Sequence, residues 1–137
     1  ARNLILYFLD KHFPDPDHLV RPTDPLPIVV DEAEIRELFP TDDRLENYRA
    51  LNKAVREIGL NIPPLVNAYM ALSPEMRVFG TAINEDFGHV EETGILIAID
   101  EIIPDKRVRH IETFDPDKAQ SDLLWTNISR RVRLVKS

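Results

Sequence analysis

Residues 61–92, NIPPLVNAYMALSPEMRVFGTAINEDFGHVEE, decide the fold because they predict a helix, a strand and a turn in direct succession. Two consecutive prolines suit the first turn of a helix, where no backbone donor is needed. The apolar residues after them cover nearly the whole circumference of that helix, which predicts that it is buried. RVFGTAIN, residues 77–84, has the composition of a strand, and EDFGHVEE, residues 85–92, predicts a hairpin-like loop after it.

The residues after this loop predict a second strand, TGILIAID, at residues 93–100. Both of its faces are apolar, which is typical of a central strand that is covered on both sides. RVRHIETF, residues 107–114, predicts a further strand. These elements together predict the α+β class, with a small sheet, a late hairpin and several helices packed against them.

Three more helices are predicted before this stretch. The first spans residues 2–13 and is apolar almost all round, which predicts a buried helix, although no capping residue precedes it. For that reason the chain is interpreted as a fragment whose first helix belongs inside a larger body. Asp31 and Glu34 have the spacing of a capping box, which predicts a short helix that ends at Pro40.

The third of these helices is predicted from an apolar stripe with spacings of three and four residues. The members of this stripe are Leu45, Tyr48, Leu51, Asn52, Val55 and Ile58. Thr41 or Asp42 is predicted to cap the start of the helix, and Gly59 to stop its end. Between the first two helices, prolines force an extended course, and residues 28–30 are predicted as a short edge strand.

Length and composition describe one ordinary globular domain. The chain has 137 residues, of which 43% are hydrophobic and 30% charged, and it has no cysteine. The absence of cysteine excludes a disulfide framework, a cysteine-ligated metal site and a thiol nucleophile. No apolar run approaches the ~18 residues of a membrane span, and the first residues do not have the pattern of a signal peptide. A cytoplasmic location is therefore predicted.

The net charge of −7 is unevenly distributed along the chain. Residues 118–137 contain five basic residues and one acidic residue, a net charge of +4, so the remainder carries −11. An acidic body argues against a general nucleic-acid binder. The predicted division is a domain at residues 1–117 and a basic amphipathic helix at residues 118–137.

The predicted C-terminal helix combines an apolar stripe with basic flanks. Trp125 belongs to the stripe, and Arg130, Arg131 and Arg133 flank it. This pattern is typical of an interfacial helix that is attracted to anionic lipid. A terminal helix that docks on its own domain has the same pattern, and the sequence leaves both alternatives open.

No motif in the sequence marks a self-contained catalytic centre. The chain has no Walker loop, no GxGxxG, no HExxH and no GxSxG sequence. Its histidines lie at positions 12, 18, 89 and 110, which is not the spacing of metal ligands. No metal site is therefore predicted.

Three polar residues are candidates for a functional role. Asn67 lies in the apolar helix, where a buried amide must find partners or cost about 1–3 kcal/mol. It either bonds to a neighbouring backbone carbonyl or lines a pocket. Alternation along the strand places Glu91 and Glu92 on opposite faces. Paired acid/base chemistry, binding of a cationic amine and simple loop solvation all remain open for these two carboxylates.

Residues 61–100 resemble the end of the ornithine-lipid N-acyltransferases. In that family a helix that begins Pro-Pro-Leu is followed by a short strand, a Phe-Gly turn, an acidic residue and an apolar strand. The counterparts here are Pro63, Pro64 and Leu65, then Ala68, Tyr69 and Met70, then Phe87 and Gly88, then Glu91, and then residues 95–99.

A longer resemblance extends from LILYFLDKHF to RHIE and covers nearly the whole chain. These stretches are similar to the C-terminal part of bacterial proteins that carry the name haemolysin. Those proteins are similar to glycine-lipid N-acyltransferases of the GNAT superfamily, which are relatives of the acyl-homoserine-lactone synthases.

The resemblance implies an enzyme of aminolipid synthesis. Such an enzyme moves a 3-hydroxyacyl group from acyl carrier protein to the amine of an amino acid, either glycine or ornithine, and holds no other cofactor. The implied fold is partial and GNAT-like, a mixed sheet wrapped by helices. The signature strand of the family lies in an N-terminal half that is absent here, so the chain alone is expected to be inactive.

The resemblance also implies roles for residues of this chain. The predicted substrate-binding residues are Asn67, Tyr69, Phe79 and Asn84. Glu91 or Glu92 is predicted to bind the ammonium group of the acceptor or to relay its proton.

A rival hypothesis is a non-catalytic interaction module that docks on acyl carrier protein or on the inner face of a membrane. The predicted contacts for either partner are Trp125, Arg130, Arg131 and Arg133. If this hypothesis holds, deletion of residues 118–137 weakens the association and leaves the body folded. A sheet flank left exposed in a fragment also predicts a homodimer.

Overall fold

The structure, a computed structural model, describes residues 1–112. The predicted α+β class is confirmed, since these residues form five α-helices and a two-stranded antiparallel sheet. The elements are α1 (Arg2–His12), α2 (Glu32–Leu38), α3 (Arg44–Glu57), α4 (Pro64–Leu72), β1 (Arg77–Asn84), β2 (Val90–Leu96) and α5 (Pro104–Arg107). The predicted terminal helix and the boundary between residues 117 and 118 lie outside the described residues.

The backbone divides into two compact units, the first of which is Ala1–Ile102. The second unit begins at Ile103, and in its described part α5 continues into a π-helical turn, Val108–Glu112. The strand predicted from residue 107 onward is therefore wrong for residues 107–112. Pro104 explains the difference, because a proline at the first position favours a helix over a strand.

The core of the first unit lies where α1 meets α3. Phe8 is 1% exposed, and the centroid of its ring lies 6.2 Å from that of Phe39 and 6.1 Å from that of Tyr48. The buried cluster consists of Phe8, Leu9, Phe13, Ile35, Phe39, Leu51, Val55, Ile62, Met76 and Val78. Burial of one such side chain contributes about 1.5–3 kcal/mol, so this cluster dominates the stability of the unit.

The prediction for α3 gave the helix and missed part of its buried face. Leu51 and Val55 are buried as predicted, but Leu45 and Ile58 are 57% and 59% exposed. Asn47 takes the place of Leu45 in the core, since it lies one helical turn before Leu51 and residues four apart share a face. Residues two apart do not share a face of a helix, so Leu45 does not lie on the buried face of Asn47.

The helix ends are fixed by hydrogen bonds. Asp31 accepts from the backbone N–H of Glu34 at 3.1 Å, so the cap predicted for α2 is confirmed. The cap of α3 is Asp43, which accepts from the N–H of Glu46 at 2.7 Å; the prediction of Thr41 or Asp42 was wrong by one or two positions. Gly59 ends α3 in the left-handed conformation, with φ of +79°, as its position predicts.

The two strands form a hairpin in which Thr81 is paired with Thr93 and Ile83 with Glu91. β2 starts at Val90, inside the predicted loop, and ends at Leu96, before the predicted end. The prediction of a central, covered strand is wrong within residues 1–112, because β2 pairs only with β1 and none of its residues is buried.

The other edge of β1 is partly occupied by the proline-rich segment. Leu26 donates its backbone N–H to the carbonyl of Thr81 at 2.8 Å, and Pro25 forms a bridge with Ala82. The edge strand predicted at residues 28–30 is wrong, since the pairing occurs a few residues earlier and forms no regular strand. Pro27 lacks an N–H and so cannot extend the ladder.

The prediction that α4 is buried is also wrong for the described chain. None of its residues is buried, and Leu65 is 54% exposed. Val66, Tyr69 and Met70 pack against the core on one side, while no described element covers the side of Leu65 and Ala68. The apolar sequence of the helix is thus only half explained by its contacts within residues 1–112.

Candidate functional site

Asn67 joins two helices through its side chain. Its Oδ1 accepts a hydrogen bond from the hydroxyl of Tyr48 on α3 at 2.8 Å. Tyr48 in turn packs against the ring of Phe8 in the core. The partner of Asn67 is therefore a side chain, an alternative that the sequence did not offer, and the bond ties α4 to α3.

Tyr69 and Phe79, two of the predicted substrate-binding residues, occupy different places in the fold. Tyr69 is partly buried against the core from α4. Phe79 lies at an irregularity in the pairing of β1 with β2. Its side chain is close to Gly94, since a Cβ added to Gly94 would lie 3.4 Å from the side chain of Phe79. The contacts of both residues hold the fold together.

Glu91 and Glu92 point to opposite faces of the hairpin, as their alternation predicts. Glu91 forms an ion pair with Arg2 at the start of α1. Glu92 accepts a hydrogen bond from the Nδ2 of Asn84 at 3.0 Å. Asn84 is therefore placed beside a predicted acidic candidate, although on the face away from Arg2.

The face of Glu91 carries the more complete set of polar groups. Beside it, the hydroxyls of Thr81 and Thr93 bond to each other at 2.7 Å across the two strands. The side chains of Arg2 and Glu91 are 55% and 34% exposed, so a small ligand has access to both charges. A guanidinium and a carboxylate side by side offer donors to an anion and acceptors to a cation.

The predicted site residues form two groups. Within residues 1–112, no hydrogen bond or ion pair joins Asn67 to Asn84, Glu91 or Glu92. Arg2 was not predicted as part of the site, and no sequence signal could identify it because 89 positions separate it from Glu91. Trp125, Arg130, Arg131 and Arg133 lie outside the described residues.

A second polar cluster, which the sequence analysis missed, lies inside the core. Asn47 is 1% exposed, and its Nδ2 donates to the carbonyl of Thr41 and to the Nε2 of His12, each at 2.9 Å. Because the Thr41 carbonyl requires a donor, the amide orientation is fixed and Nε2 of His12 must accept. Burial lowers the pKa of His12 below its ordinary 6.5, and the charges of Lys11 and Arg44 act in the same direction.

This cluster predicts a pH-dependent stability. His12 binds a proton less readily in the folded chain than in the unfolded chain, so the unfolded state binds more protons below about pH 6.5. As the pH is lowered from 6.5 to the folded pKa of His12, the free energy of unfolding is therefore expected to decrease. Below that folded pKa both states bind the proton, and the contribution of His12 no longer changes with pH. Urea denaturation at a series of pH values measures it. His12→Gln should flatten the slope.

Other features of the described residues give no competing site. Surface grooves lie along α3, one of about 410 Å³ lined by Arg49, Asn52, Lys53, Arg56 and Glu57. Among residues 1–112, no three histidine, aspartate or glutamate side chains converge as metal ligands. In the same range, no helix combines the length and the apolar character that crossing a bilayer requires.

Two bacterial proteins with a shared name resemble this chain. Over 114 residues, 83% of the chain, it is 61% identical to the "Glycine N(alpha)-acyltransferase" of Bacteroides thetaiotaomicron and 62% identical to that of Phocaeicola vulgatus. The aligned part makes up 34% and 35% of these proteins, so the chain spans about a third of the length of the curated relatives it matches. No family model and no solved structure matches it. Most of the chain is therefore similar to one third of two bacterial proteins named as acyltransferases of glycine.

Proposed function

We propose that the chain is part of an N-acyltransferase that acylates the amine of an amino acid, and that the acceptor is glycine. The observation that carries the proposal is the identity of 61–62% over 114 residues to two proteins named glycine N(alpha)-acyltransferase. Those names favour glycine over ornithine as the acceptor. We further propose, from the resemblance in the sequence, that the donor is a 3-hydroxyacyl group on acyl carrier protein and that the enzyme is of the GNAT type.

The charges beside the hairpin suit a zwitterionic acceptor. Glycine carries an ammonium and a carboxylate, and Glu91 and Arg2 supply one charge complementary to each. Under the proposal, the acceptor inserts between them and replaces the ion pair that they form with each other. Both side chains lose little in this exchange, because each keeps an oppositely charged partner.

The proposed reaction is attack of the glycine nitrogen on the carbonyl carbon of the acyl thioester. The N–C bond forms, the C–S bond breaks, and the thiolate of the carrier protein leaves. The ammonium must first lose a proton, which Glu91 accepts and passes to solvent; the nitrogen loses a second proton as the amide forms, and this proton neutralises the thiolate. The oxyanion of the tetrahedral intermediate needs fixed hydrogen-bond donors, and we assign these to the part of the enzyme that this chain does not span.

The proposed cellular setting is the cytoplasm, at the inner face of the membrane. The product is an acylated amino acid and hence amphipathic, so release at a membrane surface is favourable. Trp125, Arg130, Arg131 and Arg133 are proposed to contact the anionic surface or the carrier protein. A detergent-like product would lyse red cells without any pore, which would explain the haemolysin name of the proteins that the sequence resembles.

The proposal is tested in the longer protein that includes this chain, expressed with its carrier protein in a heterologous bacterial host. Lipids are extracted and searched by mass spectrometry for N-acylated glycine and ornithine. We expect a new N-acylglycine, and none from the 137-residue chain expressed alone. If the folded longer protein gives no acylated amino acid, the proposed reaction is wrong and the interaction module replaces it.

Two matched glutamate variants test the proposed role of Glu91. Glu91→Gln removes the charge that faces Arg2, whereas Glu92→Gln removes the neighbouring charge on the opposite face. We expect Glu91→Gln to lower kcat/KM for glycine by about 10- to 100-fold, the cost of one charge-assisted contact of about 1.5–3 kcal/mol. Glu92→Gln should stay within about twofold of the parent protein. Equal activity of the two variants would exclude the assignment of Glu91.

A further inference from the structure

The side of α3 that faces away from the core carries positive charge. Arg49, Lys53 and Arg56 follow one another at spacings of four and three residues, so they lie on one face of the helix. That face is opposite to the buried Leu51 and Val55. These three basic residues are the cationic face of α3; all of them are exposed, and they line the groove of about 410 Å³ described above.

The charges of the cationic face are not neutralised within residues 1–112. Arg49 and Arg56 form no ion pair there, and Lys53 reaches Glu57 only at 3.9 Å, between two largely exposed side chains. Several other basic side chains of the described chain do pair with a carboxylate, namely Arg2, Lys11, Arg36 and Arg77. Like charges at spacings of three and four residues weaken a helix. The stability of α3 therefore does not explain the cationic face.

Exposed apolar residues continue this face at the end of the helix. Ile58 and Leu60 are 59% and 52% exposed. The backbone N–H of Leu60 bonds to the carbonyl of Val55 at 3.1 Å, which holds Leu60 against the last turn of α3. Arginine beside exposed apolar side chains is a composition typical of surfaces where proteins bind one another.

The sign of the charge selects an acidic occupant. Residues 113–137 contain five basic and three acidic residues, a net charge of +2, so they carry the same sign as the cationic face and are repelled by it. A second copy related by a two-fold axis would bring the cationic face against itself. A groove receives a protruding helix of a partner better than it receives the flat surface of a bilayer.

We infer that the cationic face of α3 is the docking site for an acidic helix of the acyl carrier protein that delivers the acyl group. The inference rests on the proposed function, which supplies this partner. Carboxylates of the carrier protein pair with Arg49, Lys53 and Arg56, and an apolar side chain of the same helix covers Ile58 and Leu60. Because the rest of the chain is acidic, it repels the carrier protein in other orientations. The surface binds the protein part of the donor and takes no part in the acyl transfer itself.

Binding of the carrier protein to the longer protein that includes this chain tests the inference without any reaction. We expect the double variant Arg49→Glu/Arg56→Glu to raise the Kd for the carrier protein at least tenfold, because two attractive charges become repulsive. Arg49→Lys/Arg56→Lys keeps both charges and should change the Kd by less than about threefold. Arg21→Glu reverses an exposed charge in the proline-rich segment, away from α3, and should have no effect. Circular dichroism checks that each variant is folded.

A comparison of two acyl donors separates docking from chemistry. The double reversal should raise KM for the acyl carrier protein and leave kcat/KM for a small acyl thioester, such as an acyl-pantetheine, unchanged. The inference is overturned if the carrier protein does not bind the parent protein, if it binds the double reversal equally well, or if both donors are impaired alike. Dissociation of a dimer by the same two substitutions, with carrier binding unchanged, would identify a second copy as the occupant. Binding at the cationic face without any acylated amino acid would sustain the docking site and refute the proposed reaction.

Discussion

Replacement of Phe8 by alanine is expected to unfold much of the population of this chain. Phe8 is 1% exposed and lies between the rings of Phe13, Phe39 and Tyr48. Removal of a buried phenylalanine ring costs about 3–5 kcal/mol, because the hydrophobic transfer energy is lost and a cavity remains. This is a large share of the total stability of a small domain, about 5–15 kcal/mol. Urea denaturation followed by circular dichroism measures the change.

Phe87→Ala is the matched control for this prediction. Phe87 is the same residue type, but it lies in the hairpin turn and is 77% exposed. Its removal should change the free energy of unfolding by no more than about 0.5 kcal/mol. If Phe8→Ala lowers the free energy of unfolding as little as Phe87→Ala does, the packing of α1 against α3 is not the core of this unit.

Asn47→Ala is expected to have the second largest effect, a loss of about 2–3 kcal/mol. The amide of Asn47 makes two hydrogen bonds that alanine cannot make. The substitution therefore leaves the Thr41 carbonyl and the His12 ring without that donor. An unsatisfied buried polar group costs about 1–3 kcal/mol. The same denaturation experiment measures it, and the dependence on pH described for His12 should change together with it.

Asn52→Ala serves as the comparison for Asn47, because it removes the same side chain from the same helix. Asn52 is only half-buried and lines a surface groove of α3. Its removal should cost less than about 0.5 kcal/mol. If both variants lose the same stability, the effect reflects the helix propensity of α3, and the bonds of Asn47 contribute little.

Local sequence signals predicted α1 to α4 and the hairpin, because these elements depend on neighbouring residues. The cap at Asp31, the stop at Gly59 and the strand β1 are all decided within a few positions. The error in the buried face of α3 occurs where one residue cannot be told from its neighbour by pattern alone. An asparagine in the core at position 47 contradicts the usual polarity rule, and only its bonds to Thr41 and His12 explain it.

The candidate site could be predicted only in part for a different physical reason. Alternation along a strand correctly separated Glu91 from Glu92. No periodicity connects Glu91 with Arg2, since that pair is created by the packing of α1 beside the hairpin. Asn67 was recognised as unusual, but its bond to Tyr48 depends on how α4 meets α3. Contacts between elements are set by tertiary structure, which a single sequence specifies only collectively.

The attachment of α1 to the hairpin has a consequence for the order in which the chain folds. Val78 donates its N–H to the carbonyl of Phe13 at 2.9 Å, and Arg77 bonds to Asp17, which is 60 positions earlier. α1 therefore cannot reach its final partners on a ribosome until β1 has left the exit tunnel. Contacts of such long sequence separation slow folding, because a long loop must close first. α3 leaves the tunnel before β1, so the apolar side of α1 packs against α3 first and gains its contacts with the hairpin last.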